Sequence, residues 1–92
     1  MAETIDLSRP KLARTHRMQW EEAQNCYVLL YPEGMVTLNN SAQEILSRCD
    51  GEKTVSDIVA ELQAAFPGNS LEDDVFEFVR LASQQGWIEL DL

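Results

Sequence analysis

The spacing of apolar residues changes near Leu38, from a pattern typical of strands to a pattern typical of helices. Apolar and polar residues alternate at 17–22, and the run at 26–31 is apolar at every position, which predicts a first strand followed by a central one. A third strand is predicted at 35–38, after a turn sequence that contains proline and glycine. Because strands that follow one another along a chain usually pair, these three predict an antiparallel meander.

Three segments after Leu38 have the spacing of amphipathic helices. Apolar residues recur three or four positions apart at 42–49, 55–66 and 71–82, which places them on one face of each helix. Capping and stop signals bound the segments. The first helix is capped by Asn40 or Ser41, with Ser41 and Glu44 as a capping box, and is stopped by Asp50-Gly51. The second is capped by Thr54 and stopped by Pro67-Gly68. The third is capped by Asn69 or Ser70 and stopped by Gly86.

The order of these elements predicts an α+β domain that resembles a winged helix. A three-stranded antiparallel sheet is followed by a three-helix bundle, which packs on one face of the sheet. Residues 87–90 are expected to return as a short strand or an extended tail. Residues 1–15 are polar, contain Pro10 and show no periodicity, so we expect a flexible N-terminal arm at 1–15 and one folded domain at 16–92.

Charge is distributed unevenly along the 92 residues, whose net charge is −9. Residues 1–17 carry a net charge of +2, and residues 18–92 carry −11. An acidic body of this kind repels nucleic acid, because affinity for phosphate backbones comes largely from Lys and Arg. Anionic membrane surfaces are disfavoured for the same reason, whereas a partner with basic residues is favoured.

Residue types that carry catalysis or bind metals are few and scattered. The single histidine, His16, has no neighbouring nucleophile in the sequence, and we interpret it as a solvated residue of the arm. The acidic run 72–74 complements the start of a helix, because consecutive helical residues point about 100° apart and cannot all bind one ion. We therefore expect a protein that is not an enzyme, with no catalytic residue, no metal site and no cofactor.

The two cysteines, Cys26 and Cys49, have neither a CxxC spacing nor the spacing of a metal site. Their simplest role is that of small core residues. The sequence contains no signal peptide and no apolar run long enough to span a membrane. We therefore expect a cytoplasmic protein with both thiols reduced.

The third strand has the properties of an open sheet edge. Residues 35–38 contain neither a charge nor a proline, the two features with which proteins often protect an edge. An unprotected edge accepts the main chain of a partner peptide as an additional strand. In that case Val36→Pro is expected to weaken peptide binding while the fold survives, since proline removes one amide donor. Alternatively, the edge is covered by residues 87–90 or by a second copy of the chain.

The third helix offers a second apolar surface beside that edge. Its apolar stripe is centred near Val75, Phe78 and Ala82. At about 100° per residue, Phe76 and Leu81 fall about 110° to either side of this stripe. One of these two flanking residues could line a groove next to the third strand. The alternative is a wide buried face in a small domain.

Six short blocks of the sequence carry a specific resemblance, which extends from about residue 10 to about residue 90. The blocks are Leu29-Leu-Tyr-Pro-Glu-Gly34, Leu38-Asn-Asn-Ser-Ala42, Glu44-Ile-Leu46, Cys49-Asp-Gly51, Asp74-Val75 and Gly86-Trp87. The first block and the Cys-Asp-Gly block are specific in combination, although either alone would be weak. Together they resemble the PqqD family, the peptide chaperones of pyrroloquinoline quinone (PQQ) biosynthesis.

The resemblance implies the fold of the recognition elements of ribosomally made, modified peptides. It also implies a chaperone that binds the precursor peptide PqqA and brings it to PqqE, a radical S-adenosylmethionine enzyme that joins a glutamate and a tyrosine of that peptide. The iron–sulfur clusters and S-adenosylmethionine would belong to PqqE and not to this chain. In this class of element the leader peptide adds to the third strand, in a cleft beside the third helix. Carried over to the peptide-binding domain, the peptide-binding residues are Met35, Val36, Thr37, Leu38, Val75, Phe76, Val79 and Leu81.

Two other functions compete with peptide binding. A winged-helix DNA-binding protein would carry Lys or Arg on its recognition helix, but residues 71–85 contain Arg80 alone against four acids. A structural or dimerisation subunit of an enzyme complex would pair its edge strand with that of a second copy, which would make the chain a homodimer.

Overall fold

The computed structural model describes residues 5–68 and 70–91, and its main strands precede its helices as predicted. A 3₁₀ helix at Ile5–Leu7 comes first. The elements that follow are β1 (Lys11–Leu12), β2 (Arg17–Glu21), β3 (Cys26–Tyr31), β4 (Gly34–Thr37), α1 (Asn40–Leu46), α2 (Val55–Ala65), α3 (Glu72–Gln84) and β5 (Ile88–Glu89). The three-stranded sheet and the helices of these described residues confirm the predicted α+β class.

The larger sheet has the order β2-β3-β4 and is antiparallel throughout. Its register places Trp20 opposite Tyr27, and Leu29 opposite Val36. Leu29 is fully buried in the core, and Tyr27 and Val36 pack against that core, because side chains at alternate positions of a strand share one face. The predicted meander is therefore confirmed, with the apolar run at 26–31 as its central strand.

The core lies between one face of this sheet and the apolar stripes of the helices. Leu29 and Leu38 contribute from the side of the sheet. Each large aliphatic side chain that is fully buried stabilises the fold by about 1.5–3 kcal/mol. The buried helical residues are Ala42, Ile45 and Leu46 of α1, Val55, Ile58 and Leu62 of α2, and Val75, Val79 and Ala82 of α3. The last three hold α3 against the core, beside the sheet.

The N-cap of α1 lies one residue before the first of its two predicted caps. Asn39 is the N-cap in an extended conformation, and its side-chain oxygen accepts a hydrogen bond from the Ala42 N–H at 2.8 Å. The prediction of Asn40 or Ser41 was wrong because a capping residue stays outside the helical conformation, and both of these residues already lie within the helix. The helix also ends earlier than predicted, at Leu46.

α2 begins and ends where its sequence signals indicate. Thr54 is the N-cap, and it forms reciprocal hydrogen bonds of 3.1 Å with Asp57. This capping box satisfies two main-chain N–H groups that have no partner within the helix. The helix ends at Ala65, just before Pro67-Gly68, because proline and glycine oppose its continuation.

α3 is fastened at its start by a residue of the preceding helix. Leu71 occupies the N-cap position and makes no side-chain cap, so the predicted cap at Ser70 was wrong; Asn69, the alternative, lies outside the described residues. The Leu71 N–H instead donates to Oε1 of Gln63 in α2 at 2.6 Å. This contact is long-range in sequence, so local capping rules did not reveal it.

Residues 5–12 are part of the folded unit, whereas the sequence predicted a flexible arm at 1–15. Ile5 belongs to the core, and β1 pairs with β5 in a separate two-stranded sheet. The expected short strand within 87–90 is thereby confirmed, with β1 as its neighbour. The folded domain therefore includes the described part of the predicted arm; residues 1–4 lie outside the described residues.

Main-chain hydrogen bonds hold this N-terminal segment in place. The Ser8 carbonyl accepts from the Val55 N–H at 3.0 Å, and the Pro10 carbonyl accepts from the Gly51 N–H at 2.9 Å. Every residue type has a main-chain carbonyl, so a side-chain pattern cannot reveal anchors of this kind. This is why a polar segment without periodicity was interpreted as an arm.

Candidate peptide-binding groove

β4 lies at an edge of the three-stranded sheet. It pairs with β3 on one side, and no other strand of the described chain pairs with it. β5 follows α3 and pairs with β1 instead, so it does not cover this edge. Within the described residues, β4 therefore presents main-chain N–H and C=O groups that have no strand partner, the arrangement that accepts an added strand.

The register of the sheet decides which residues of β4 present those groups. The Leu38 N–H donates to the Tyr27 carbonyl at 2.9 Å, so the main-chain groups of Leu38 face β3. Inward-facing and outward-facing residues alternate along an antiparallel strand. Val36 therefore faces Leu29 of β3, its partner in the register, and cannot offer its amide to a ligand.

Met35 and Thr37 are the residues of β4 whose main-chain groups face outward. This corrects the expectation that Val36→Pro would spare the fold, because the Val36 amide is needed inside the sheet. The sequence alone could not show which residues of β4 face outward, since a shift of one residue in the register exchanges the inward-facing and the outward-facing residues.

A groove of about 500 Å³ lies between β4 and α3. Leu81 of α3 is 45% exposed there, and the rings of Phe78 and Trp87 lie with their centroids 6.4 Å apart. The apolar side chains that line the groove include Val36, Leu38, Phe78, Leu81 and Trp87. An apolar surface beside an open strand edge can hold the side chains of a peptide that pairs with that edge.

The helix side of the groove is acidic. Asp74 and Glu77 of α3 line it, whereas Thr37, Asn39 and Ser41 contribute polar groups on the other side. The first turn of α3 contains two further acids, Glu72 and Asp73. Complementary charge favours the correct partner and repels a wrong one, so this surface favours a peptide with a basic residue near α3.

The structure brings four of the predicted peptide-binding residues into the groove. Val36, Thr37, Leu38 and Leu81 all line it. Met35 is 48% exposed, and its side chain lies on the opposite face of the sheet from Val36, because successive residues of a strand alternate. Its main chain, rather than its side chain, is therefore the part that is available at the open edge.

The remaining three predicted residues lie elsewhere on α3. Val75 and Val79 are only 1% and 0% exposed, so they belong to the core, and neither lines the groove. Phe76 packs against the core and does not line the groove, since it lies on the flank of the helix opposite Leu81. Of the two flanking residues that the sequence left open, Leu81 is the one beside β4.

Sequence reasoning missed Phe78, Trp87, Asp74 and Glu77 as groove residues. The signal for the three helical ones was present, because Asp74, Glu77 and Phe78 precede Leu81 by seven, four and three positions. These spacings place side chains on one side of a helix. Trp87 had no such signal, since its position depends on where the chain turns after α3.

The Cys-Asp-Gly block has a structural role in the loop between α1 and α2. The Asp50 carboxylate accepts hydrogen bonds from the Glu52 N–H at 2.9 Å and from the Lys53 N–H at 3.0 Å, and its second oxygen lies 3.0 Å from Lys53 Nζ. These donors, with the Lys53 N–H as the largest cause, hold the pKa of Asp50 well below its usual range. The carboxylate therefore fixes the shape of this loop.

Gly51 allows the N-terminal segment to lie close to that loop. Its φ of +82° is in the left-handed region, and a Cβ at this position would lie 3.2 Å from Lys11 Cδ. Glycine alone adopts such a φ without steric cost. The Gly51 N–H also makes the hydrogen bond to the Pro10 carbonyl, so the block anchors the segment that leads into β1.

Cys49 is a core residue and not a nucleophile. Burial raises the pKa of its thiol to about 12, and the nearby Asp50 contributes in the same direction. Its Sγ donates to the Ile45 carbonyl at 3.3 Å. Because the thiolate is the reactive form of cysteine, this side chain is unsuited to covalent chemistry.

Other chemistry-bearing residues form no site in the described chain. His16 stacks on Tyr31 with ring centroids 5.3 Å apart. Within residues 5–68 and 70–91, no group of three or more His, Cys, Asp or Glu side chains could hold a metal ion. No helix of the described chain has the length and apolar composition that crossing a membrane requires.

Comparison with known proteins places these features in a family. A family model described as coenzyme PQQ synthesis protein D (PqqD) matches residues 26–88. The chain is 52% identical over 91 residues to a PqqA binding protein of Azotobacter vinelandii, with 98% of this chain and 99% of that protein covered. It is 50% identical over 82 residues to a PqqA binding protein of Stutzerimonas stutzeri, with 88% and 89% covered.

A solved structure has the same fold. It is the solution NMR structure of a PqqD truncation of Methylobacterium extorquens PqqCD, described as a functional and stand-alone recognition element for ribosomally synthesised and post-translationally modified peptides. Its TM-score is 0.73 at 29% sequence identity, with 96% of this chain and 99% of that chain covered. The family match covers more than half of the sequence and the relatives align over most of its length, so the chain belongs to the PqqD family.

Proposed function

We propose that this chain binds the precursor peptide PqqA as an additional strand on β4 and presents it to the radical S-adenosylmethionine enzyme PqqE. The observation that carries the proposal is the open edge of β4 beside an apolar groove. The relatives named PqqA binding protein, at 52% and 50% identity, support the identity of the peptide. In this proposal the chain binds and PqqE supplies the chemistry.

The geometry gives each part of the site a role in binding. The outward N–H and C=O groups of Met35 and Thr37 would form the ladder with the peptide main chain, and each hydrogen bond would add a net of about 0.5–1.5 kcal/mol. Side chains on one face of the added strand would enter the groove against Phe78 and Leu81. A basic residue of the peptide would pair with Asp74 or Glu77, which sets the register.

The direct test is a titration of the ¹⁵N-labelled protein with PqqA, followed by amide NMR. We expect the largest shifts at 34–38 and at 74–81, the two sides of the groove. Shifts confined to the N-terminal segment at 5–16 would contradict the proposal, because that segment does not line the groove.

A matched pair of variants separates the groove from the rest of the surface. Leu81→Ala removes an exposed groove side chain and is expected to lower the affinity for PqqA by about tenfold, which corresponds to about 1.4 kcal/mol. Leu90→Ala removes a side chain of the same size that is 37% exposed outside the groove, and it should bind PqqA as the unaltered protein does. Equal affinities for the two variants would place the peptide elsewhere.

Presentation to PqqE requires a second measurement. Formation of the glutamate–tyrosine bond in PqqA by PqqE should depend on this protein, and Leu81→Ala should reduce it in proportion to the lost peptide affinity.

We also place this function in the cytoplasm, because Cys26 and Cys49 are both free thiols, as is usual in a reducing compartment.

The same open edge favours a second candidate, a subunit that pairs β4 with β4 of another copy. Such a homodimer would use the outward groups of Met35 and Thr37 in place of a peptide. Sedimentation over a range of concentrations measures it, and PqqA should dissociate the dimer if both compete for one edge. A dimer that persists in saturating peptide would favour the purely structural role.

A further inference from the structure

A second cavity lies next to the groove, among the three helices. Its volume is about 330 Å³. The apolar side chains that line it are Ile45 of α1, Leu62 of α2, Phe66 after α2, Leu71 before α3 and Val75 of α3. The cavity is therefore a largely apolar pocket, which we call the helix pocket.

The helix pocket adjoins the groove. Ser41, Ile45 and Asp74 line both cavities, so these three residues form the boundary that the two cavities share. β4 leads into α1, and α1 forms one side of the pocket. A peptide that pairs with β4 and extends beyond Thr37 therefore reaches the pocket next.

We propose that the helix pocket holds one bulky apolar side chain of the same peptide that pairs with β4, an inference that rests on the proposed function. Its volume is near the lower end of the range of about 300–1,000 Å³ that is typical of ligand pockets, which suits a single side chain such as Phe, Tyr, Trp or Leu. Buried apolar anchors of this kind contribute most of the energy of an interface.

The charge at the entrance adds a second requirement on the peptide. Glu44 of the pocket is held by Arg48 in an ion pair of 2.8 Å, whereas Asp74 lies at the junction of the two cavities. A Lys or Arg beside the anchor residue would meet the Asp74 carboxylate. The recognised segment is therefore an extended strand that ends in a bulky apolar residue with a basic neighbour.

Contacts between the helices hold the pocket in shape. Gln63 of α2 binds the Leu71 N–H at 2.6 Å, and Arg48 joins Glu44 to Glu61 of α2 at 3.1 Å. The walls are therefore fixed from both sides before a ligand arrives. A preformed pocket binds more tightly than one that must be ordered, because less conformational entropy is lost.

The direction of the peptide decides which end carries the anchor. If the peptide lies antiparallel to β4, the anchor residue precedes the paired segment in the peptide sequence. If it lies parallel, the anchor residue follows that segment. The position of the anchor in PqqA therefore reports the direction of the added strand.

The test is a double-mutant cycle with PqqA peptides in which each large apolar residue is replaced by alanine in turn. Phe66→Ala removes one wall of the pocket and should lower the affinity for unaltered PqqA by about tenfold. The same variant should make almost no difference to the one peptide that lacks the anchor residue. Leu7→Ala is the control, since Leu7 is exposed and lines neither cavity.

The outcomes separate this inference from the proposed function. If PqqA binds and Leu81→Ala weakens it while Phe66→Ala stays within twofold, the helix pocket is not used and the groove still is. If Phe66→Ala lowers the affinity for every peptide by the same factor, no single peptide residue is coupled to the pocket, and the inference is overturned as well. If unaltered protein does not bind PqqA at all, both proposals fail.

Methyl NMR of the unaltered protein gives a readout that needs no variant. Addition of PqqA should shift the methyl signals of Leu62 and Leu71, which line the pocket but not the groove. The peptide without its anchor residue should leave those signals in place while still shifting Val36. Methyl shifts caused by PqqE or by rising protein concentration, and not by PqqA, would assign the pocket to an enzyme or to a second copy and overturn the proposal.

Discussion

Neighbouring residues of β4 direct their main-chain groups to opposite sides of the strand, and their side chains give no indication of this. The main-chain groups of Val36 face β3, and those of Thr37 face outward, because the Leu38 N–H is bonded to Tyr27. In the proposed complex, the affinity for a peptide would therefore depend on the main chain of Thr37, whose side chain gives no such indication in the sequence. Substitutions that remove a single amide can separate the two roles.

We expect Thr37→Pro and Val36→Pro to have contrasting effects. Thr37→Pro removes an outward amide, so it should weaken PqqA by about twofold to tenfold, the equivalent of one hydrogen bond, and leave the fold intact. Val36→Pro leaves the Leu29 carbonyl without its donor and should lower the free energy of unfolding by about 1–3 kcal/mol. Urea denaturation and calorimetric titration measure the two quantities. Unchanged affinity in Thr37→Pro would show that its amide is not used.

The two thiols are expected to differ in reactivity. Cys49 is buried and the pKa of its thiol is raised to about 12, so almost none is thiolate at pH 8. Cys26 is only partly buried, on β3. Alkylation by iodoacetamide, followed by mass spectrometry, should modify Cys26 in the folded protein and Cys49 only after unfolding. Equal rates for the two cysteines would contradict the burial of Cys49.

At the scale of whole elements, the loop between α1 and α2 is stabilised by one carboxylate. The pKa of Asp50 is lowered in the folded protein, whereas an unfolded aspartate titrates near pH 3.9. Its contribution to stability is therefore complete above about pH 4 and is lost as the pH falls further. A stability that falls with decreasing pH is expected for a carboxylate whose charged form is stabilised by hydrogen-bond donors.

Asp50→Asn should make stability less dependent on pH. The free energy of unfolding of the unaltered protein is expected to fall more than that of the variant when the pH falls from 7 to 3. Urea denaturation of both proteins at the two pH values measures the difference. Glu33→Gln is the control, because it removes an exposed carboxylate from a different loop. Parallel losses in all three proteins would show that the Asp50 contacts contribute nothing.

The start of α3 depends on a side chain from α2. Gln63→Ala removes the acceptor of the Leu71 N–H, so the free energy of unfolding should fall by about 1 kcal/mol. Gln84→Ala, at the last residue of α3, serves as the matched control and should change stability little. Thermal or urea denaturation checks both. Should the two variants prove equally stable, the bond at Leu71 has no net effect.

The elements were predictable to different extents because some are determined by neighbouring residues and others by residues that are distant in the sequence. α2 and β3 follow from local patterns, since Thr54, Asp57 and the apolar run at 26–31 act within a few residues. The cap of α1 was misplaced because Asn39, Asn40 and Ser41 are all good caps, and only the backbone conformation selects one. The start of α3 and the N-terminal segment depend on contacts from distant residues, which no local pattern contains.

At the scale of the whole molecule, charge distinguishes this protein from DNA-binding proteins of similar outline. The net charge is −9, and α3, which would be the recognition helix, has three acids in its first turn. We expect no binding to duplex DNA even at low salt, where non-specific binding is strongest. A gel-shift assay checks this, and a shifted band that weakens as salt rises would contradict it.

The position of the candidate groove was predictable from the sequence, but the set of residues that line it was not. An uncharged strand and an apolar flank on the third helix indicated a groove between them, and Leu81 and Val36 do line one. Trp87 was missed because it joins the groove only after the chain has turned behind α3. Val75 and Val79 were included because spacing along a helix shows which residues share a face, but not which of them the core covers.

The pairing of β1 with β5 has a consequence for attachment. The Arg9 N–H binds the Asp91 carbonyl at 2.6 Å and Lys11 lies opposite Glu89, so incoming and outgoing chain are neighbours there. β4 belongs to the other sheet. A segment joined after residue 91 would thus leave the domain beside residues 9–11, on the sheet that does not contain β4. The length of a linker joined there would then set the effective concentration of the groove near an enzyme fused to it.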